Sequence, residues 1–418
     1  MSGRTAIVTL LAAACLAALS TPAPAATYLV RANGSGDYAT IQDAIDAVVD
    51  TDIIELADGT YNGTGNRDVD FLGKAVTIRS QTGDPADVTI DCGGTEFNSR
   101  RAFWFHSGEG ASSVLQNVTI VNGYVTDGNG GAILCESAAP TIEGCVFGSN
   151  IVNGANALGG ALYCGGGSWI SITACRFIGN TAGEFTDGRG GAIALVGVEE
   201  GELIDCIIGS GNYAGTRGGG VYIADGDIAF NGCVITDNGA PRGAGVFNLS
   251  GAVSFDGCSV LWNEAVTAPG TGGGLATFGD ANIVRSTFMG NGAVAGGGIY
   301  FGDGVGADIN RCIVAYSLMG GGVHLAALDR SVSVNCSDVF ENTGGNYTGE
   351  LTDQTGLNFN FSEDPQFCDA PSGDLTLYNA SPCTPANSLC GELVGAHDVD
   401  CLSVTEPSSW GKIKSTYE

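Results

Sequence analysis

Basic residues are scarce in this chain. Lysine and arginine together number 16, only three of them lysine, against 45 carboxylates, for a formal charge of −29 over 418 residues. Nucleic acid and anionic membrane surfaces are held by clustered Lys and Arg, so this balance argues against both as partners. Long apolar runs are missing as well: after residue 25 nothing approaches the roughly 18 to 20 residues that cross a bilayer as a helix. The only histidines are His106, His324 and His397, none at metal-ligand spacing. A nucleophile elbow, HExxH, a phosphate loop and calcium loops of the DxDxDG or GGxGxDx type are all absent. No cofactor is therefore expected; the acidity suits scattered Ca2+ binding, but no motif indicates it.

The opening MSGRTAIVTLLAAACLAALSTPAPAA has an early arginine, an apolar stretch from Ala6 to Leu19 and a small-residue exit. This is the layout of a cleaved export signal over residues 1–25, too short to span and stay. Cys15 lacks the preceding leucine usual at lipid-carrying sites. A secreted, periplasmic or surface location is expected, with a net charge of −30 once Arg4 is lost (−29 minus one positive charge).

What the chain has in abundance is glycine, 68 residues of it, and it recurs in order. GGAI at 130, GGAL at 159, GGAI at 190, GGGV at 218, GAGV at 243, GGGL at 272, GGGI at 296 and GGGV at 320 return every 24 to 31 residues. Each is followed by an apolar set spaced i, i+3, i+5, such as Ile142/Cys145/Phe147, Ile172/Cys175/Phe177 and Phe255/Cys258/Val260. The last two members share strand parity, and the break from three to two implies a bend. Such short strands cannot bury a face alone and must stack. The fold class that follows is all-β, a right-handed parallel β-helix over residues 26–342, each coil about 4.8 Å from the next. Identical positions recur because each faces a copy of itself. Asn150, Asn180, Asn212, Asn238, Asn263, Asn291 and Asn342 then read as a ladder of turn residues. TIQDAIDAVVDTDIIEL gives a short amphipathic capping helix with Ile41, Ala44, Ile45 and Val48 on one stripe, followed by a strand. Segments 75–79, 88–92 and 114–121 supply the first coils. Residues 343–401 read as a cysteine-containing C-terminal cap region and 402–418 as a flexible tail.

Seven cysteines, Cys145, Cys175, Cys206, Cys233, Cys258, Cys312 and Cys336, share one column. In-register Cβ vectors make the disulfide dihedral hard to reach, so buried thiols fit better than bridges, and Ser286 in the same column agrees. Cys368, Cys383, Cys390 and Cys401 lie close together in a loop-rich segment of an exported chain, where two disulfides are expected with three open connectivities.

One row departs from the repeat. Arg189, Arg217 and Arg242 stand immediately before the glycine phrase on three successive coils. Stacked guanidiniums repel unless acidic groups or an anion lie between them. Asp187, Asp225, Asp227 and Asp237 are near enough in sequence to serve, which makes the row either a neutralised ladder or a groove for the carboxylates of an acidic glycan. Arg67, Asp68, Asp70 and Lys74 read as an internal charge network closing the first coils, and His106 as structural.

The GGAI/FGSN, GGAL/FIGN and GGGL/FMGN phrases resemble the paired GGA[ILV] and FxxN repeats of chlamydial polymorphic outer-membrane proteins, surface adhesins with a β-helical passenger. More broadly, residues 27–342 resemble bacterial right-handed parallel β-helix repeat proteins. NGSGDYATIQDAIDAV resembles the opening of pectin methylesterases and other pectate-lyase-like folds, a segment that carries none of that family's catalytic residues. The esterases' Asp, Asp and Arg motifs are not identifiable downstream, nor is there a C-terminal region with barrel-like strands. The expected function is a non-enzymatic, exported, adhesin-like interaction protein whose partner is a polysaccharide or cell-surface glycan. The alternatives are a polysaccharide lyase, hydrolase or esterase sited at the arginine row, and a structural envelope component. The sequence names no catalytic residue and no oligomeric state.

Overall fold

The computed structural model describes residues 24–401, apart from residues 168, 185, 266, 329 and 330. The expected export signal, save its last two residues, and the expected tail lie outside them. Three long parallel sheets run the length of the molecule. Sheet I has 12 strands, from Thr27–Val30 to Val332–Asn335; sheet II has 11, from Gly59–Tyr61 to Asp338–Phe340; sheet III has 11, from Val69–Asp70 to Tyr347–Gly349. Neighbours in each sheet come from successive coils, as in the register Ile142–Ile172–Leu203. The chain is thus a parallel β-helix, and among the described residues no helix is long and apolar enough to cross a membrane.

The i, i+3, i+5 spacing has a local cause. Between sheets I and II one residue per coil takes the left-handed conformation: Gly144, Ala174, Asp205, Gly232, Gly257, Arg285 and Arg311 have φ from 45° to 63°. The residue after it turns inward and meets backbone carbonyls at the bend. Cys145 Sγ donates to Glu143 O at 3.3 Å and Leu115 O at 3.6 Å, and Cys206 Sγ donates to Ile172 O at 3.3 Å. Ser286 makes the same bond, Oγ to Val284 O at 2.9 Å. A small side chain with one donor is what this position requires. Burial pushes the Cys312 thiol up to about 12. Cys206, Cys233 and Cys258 are enclosed in the same column and donate to it in the same way, Cys233 Sγ to Leu203 O at 3.2 Å and Cys258 Sγ to Phe230 O at 3.3 Å.

Cys336 does not belong to that column. Asn310 pairs with Asn335, which sets Ser337 on Cys312, and Ser337 Oγ donates to Asn335 O at 2.8 Å. Cys336 is the left-handed residue of its bend, φ 46°, and forms a disulfide with Cys390. Cys368 pairs with Cys401, and Cys383 is a buried free thiol. Of the two bridges expected among the four C-terminal cysteines only Cys368–Cys401 forms within the set: Cys390 reaches back to Cys336 in the coils, which leaves Cys383 unbridged.

The second bend carries the asparagine ladder. Asn150 Nδ2 donates to Asn180 Oδ1, Asn180 to Asn212, Asn212 to Asn238, Asn238 to Asn263 and Asn263 to Asn291, at 2.8 to 3.0 Å. The second amide proton of each goes to a backbone carbonyl, as Asn180 Nδ2 does to Phe147 O at 3.0 Å. Ser317 interrupts the ladder before Asn342, whose Oδ1 accepts from Ser317 N at 3.0 Å.

The doubled glycine has two separate reasons. Gly190 has φ 68°, while a Cβ on Gly191 would stand 2.2 Å from Gly219 O of the next coil. The first glycine meets a conformational need and the second a close approach of backbones. Inside, like residues stack on like: Phe147 lies 4.6 Å from Phe177 and Phe230 lies 4.7 Å from Phe255, ring planes within 7°.

The helix Ile41–Ala47 buries Ile41, Ala44 and Ile45 in the main core. Thr40 Oγ1 caps it by accepting from Asp43 N, and Lys74 Nζ donates to Ile45 O and Val48 O at its far end. At the other end of the chain, residues 361–401 fold back over the outer face of sheet II. Phe367, Leu375, Leu377 and Val394 cover Leu261, Met289 and Ile313, which belong to three coils. The segment is a strap along the side of the helix.

Candidate functional site

Arg189, Arg217 and Arg242 follow one another up the turn that enters sheet III. Leu158, Arg189 and Arg217 are bridged in parallel, Gly218 N donates to Arg242 O at 2.9 Å, and Thr271 and Ala295 continue the row. Alongside runs an outward-facing column of sheet III, Tyr163–Ala194–Tyr222–Phe247–Ala276–Tyr300–His324. Two of the three guanidiniums lean over the ring of the next coil: Arg189 lies 5.9 Å from the centre of Tyr222 and Arg217 lies 5.3 Å from Phe247. Tyr222 and Phe247 are consequently buried although they face outward, 3% and 1% exposed. Further up the column Tyr300 stacks on His324 at 5.1 Å, and Phe278, beyond the end of its strand, lies 5.9 Å from Tyr300. Burial and the charge of Asp303 raise the Tyr300 phenol, and Arg242 opposes them.

The acidic partners expected from the sequence divide. Asp187 stays with the row, paired with Arg189 and accepting from Thr216 Oγ1 at 2.8 Å. Desolvation acts to raise its carboxyl, but the bonds from Arg189 and Thr216 and the charges of Arg189 and Arg217 outweigh it and hold it below its ordinary value. Asp225 and Asp227 are not beside the arginines, because the strand Val221–Ala224 separates them and carries the chain across sheet III. Asp225 accepts from Ser250 Oγ at 2.7 Å, while Asp227 starts a strand of sheet I and accepts from Ala252 N at 2.9 Å. Asp237 lies at the bend after sheet II and accepts from Thr236 Oγ1. Among the described residues, Arg217 and Arg242 have no carboxylate within 4 Å.

The N-terminal cluster is half-buried to exposed, not internal, and Arg67 and Lys74 are held by backbone carbonyls. Arg67 Nη1 donates to Cys92 O at 2.8 Å, Arg100 meets Asp68 at 3.5 Å, and His106 meets Asp70 at 3.1 Å with its ring tilted against Trp104. Sequence reasoning missed the aromatic column. Its signal was there, an aromatic at the fifth position of the phrases GGALY, GGGVY, GAGVF and GGGIY, but only register shows that these rings share the arginines' face.

Residues 160–345 match the family model for the right handed beta helix region. The fold is a right-handed parallel β-helix. No curated protein matches the chain. Five solved chains match, among them a rhamnogalacturonan lyase at 12% identity and a TM-score of 0.45, over 92% of this chain and 99% of that one.

Proposed function

We propose that the protein is an exported glycan-binding β-helix, and that the arginine row with its aromatic bed holds an acidic polysaccharide lying along the coil axis. One observation carries this reading. In a chain of net charge −29, Arg217 and Arg242 stand on successive coils and, among the described residues, have no carboxylate within 4 Å. Like charges at the coil spacing of about 4.8 Å repel by on the order of 1 to 3 kcal/mol between bulk-water and surface dielectric values. Carboxylates were plentiful for neutralising them and stand elsewhere. Uronate groups meeting the planar forks of successive guanidiniums would remove that repulsion and form charge-assisted hydrogen bonds. Binding, not turnover, is the activity proposed, since lysis or hydrolysis would need a base within reach, and Asp187 is already engaged by Arg189 and Thr216.

The test is titration calorimetry of the chain with uronate oligomers and with their methyl esters, at about 0.15 M salt so that long-range attraction is screened. Binding of the acids that is lost on esterification supports the reading. Equal binding of the esters, or no binding of any polyuronate, overturns it.

A further inference from the structure

Of the strap's four cysteines, Cys383 alone stays a thiol, and it is wholly buried. Its backbone is fixed on both sides: Cys383 N donates to Ser381 Oγ at 3.1 Å, Val394 N donates to Cys383 O at 2.9 Å, and Ser381 Oγ donates in turn to Pro365 O at 2.6 Å. The thiol points at the coils, where Sγ donates to Asp338 Oδ2 at 3.5 Å. Asp338 opens the strand Asp338–Phe340 beside Ile313, two residues after Cys336. Cys336 holds the bridge to Cys390, and Cys336, Cys383 and Cys390 pack in one cluster beneath the strap. A thiol, a base within its hydrogen-bond reach and a disulfide are thus gathered in one enclosed place.

We infer that Cys383 and Asp338 are a nucleophile and its base, and that they move the strap's bridge from Cys336–Cys390 to Cys383–Cys390. Asp338 Oδ2 takes the thiol proton as Cys383 Sγ attacks Cys390 Sγ. The bond from Cys390 to Cys336 breaks, and Cys336 Sγ leaves as a thiolate that takes the proton back from Asp338. One S–S bond forms and one breaks, so neither an oxidant nor a reductant is consumed. Cys390 is the sulfur attacked because it shares with Cys383 a short span of turns, in which Asn387 N donates to Thr384 O and Gly391 N to Ser388 O, both at 3.1 Å. Closing that span costs little chain entropy. The consequence lies in the strap: Cys336–Cys390 ties it to the coils, whereas Cys368–Cys401 lies within it. After the shift its last stretch is held by Gly395 N on Arg311 O at 2.8 Å, Ala396 N on Thr287 Oγ1 at 3.1 Å and His397 Nε2 with Ser259 Oγ at 2.7 Å. The strap can then lift from Leu261, Met289 and Ile313 without reduction.

The surroundings set when the base is available. Asp338 faces Cys383, Glu363 and Asp364 on the strap, Tyr316 OH donates to Asp364 Oδ1 at 3.0 Å, and Tyr347 of sheet III lies within reach of the Asp338 charge. Burial raises the Asp338 carboxyl well above its usual range, with the bonds from Glu363 N and Cys383 opposing and the charges of Glu363 and Asp364 adding to it. Burial and then the charge of Asp338 raise the Cys383 thiol. At acid pH Asp338 already carries its proton and the bridge stays on Cys336. Exchange begins as pH rises through the native Asp338 value.

Incubation of the full chain with iodoacetamide from about pH 5 to about pH 9, followed by peptide mapping of its disulfides, tests this. The reagent traps Cys336 once it has left. The expected product carries the label on Cys336 and a Cys383–Cys390 bridge, and it forms faster as pH rises. Cys383→Ser is expected to slow the labelling of Cys336 by about tenfold or more. Asp338→Asn keeps the shape and removes the base, so the rate should fall by about tenfold or more and its rise should move to the higher pH at which the thiol ionises unaided. The bond map of the wild type needs no variant, and it decides the matter even where circular dichroism shows that a variant misfolds. The inference is overturned by label on Cys383 with Cys336–Cys390 intact, by a Cys336–Cys383 bridge, or by no label on any of the three cysteines. Equal labelling of Cys336 in Cys383→Ser, or an unchanged pH profile in Asp338→Asn, also overturns it.

Discussion

The guanidinium of Arg217 lies 5.3 Å from the centre of the Phe247 ring one coil further on, and that ring is 1% exposed on the outside of a sheet. The arginine lids the ring, and the ring fixes where the charge sits. Phe247→Ala should therefore cost about 2 to 4 kcal/mol in denaturant unfolding. It should also weaken uronate binding, though the ring itself needs touch no ligand. Lost stability with unchanged binding would separate the aromatic column from the site.

Asn212 is wholly buried and gives its amide protons to Phe177 O, Gly209 O and Asn238 Oδ1. Asn212→Ala strands these acceptors and breaks the ladder at its middle, with an expected loss of about 2 to 3 kcal/mol. Hydrogen exchange should rise at the bends on both sides of residue 212 and stay unchanged near the helix Ile41–Ala47. Uniform exchange along the chain would contradict a ladder that acts locally.

Asp338 is buried under the strap, accepting from Glu363 N at 3.1 Å and from Cys383 Sγ at 3.5 Å. Burial raises its carboxyl well above the usual range. The native state thus holds a proton that the unfolded chain releases near pH 4. This group's contribution is fully present below that pH and is lost as pH rises towards the native-state value. Asp338→Asn should stabilise the protein relative to the wild type at pH 8, with the gain shrinking at pH 4. A gain independent of pH would show that Asp338 is ionised in the folded protein.

The strap is tied by Cys336–Cys390 and Cys368–Cys401, closing loops of 54 and 33 residues. Chain entropy assigns each bond about 3 to 4 kcal/mol. Mild reduction should raise exchange within residues 361–401 and uncover Leu261, Met289 and Ile313, while the coils before residue 259 keep their protection. Loss of protection in all coils at once would show that the strap is needed for the β-helix as a whole.

The coil was readable because inward columns repeat: Phe147 over Phe177, Asn150 over Asn180 and Cys145 over Cys175 each announce a register. Cys336 was misplaced by one residue because Cys336 and Ser337 both suit a column that asks for one small donor, and only the pairing of Asn310 with Asn335 decides between them. Asp225 and Asp227 were misplaced for a different reason. Nearness in sequence does not mean nearness in space when a strand of sheet III lies between them and Arg217. Outward columns of sheet I such as Ser171–Glu202–Ala229 have no repeated residue type, so nothing in the sequence alone joins them.

The most direct test of the arginine site is the affinity of a uronate oligomer for the wild type and for Arg217→Gln/Arg242→Gln. The pair of substitutions keeps polar side chains on the turn and removes the two charges of the row that, among the described residues, have no carboxylate within 4 Å. A loss of about 30-fold or more is predicted, as expected when two charge-assisted contacts are lost. Equal affinity in the two proteins would contradict the account and return the arginine row to a structural role.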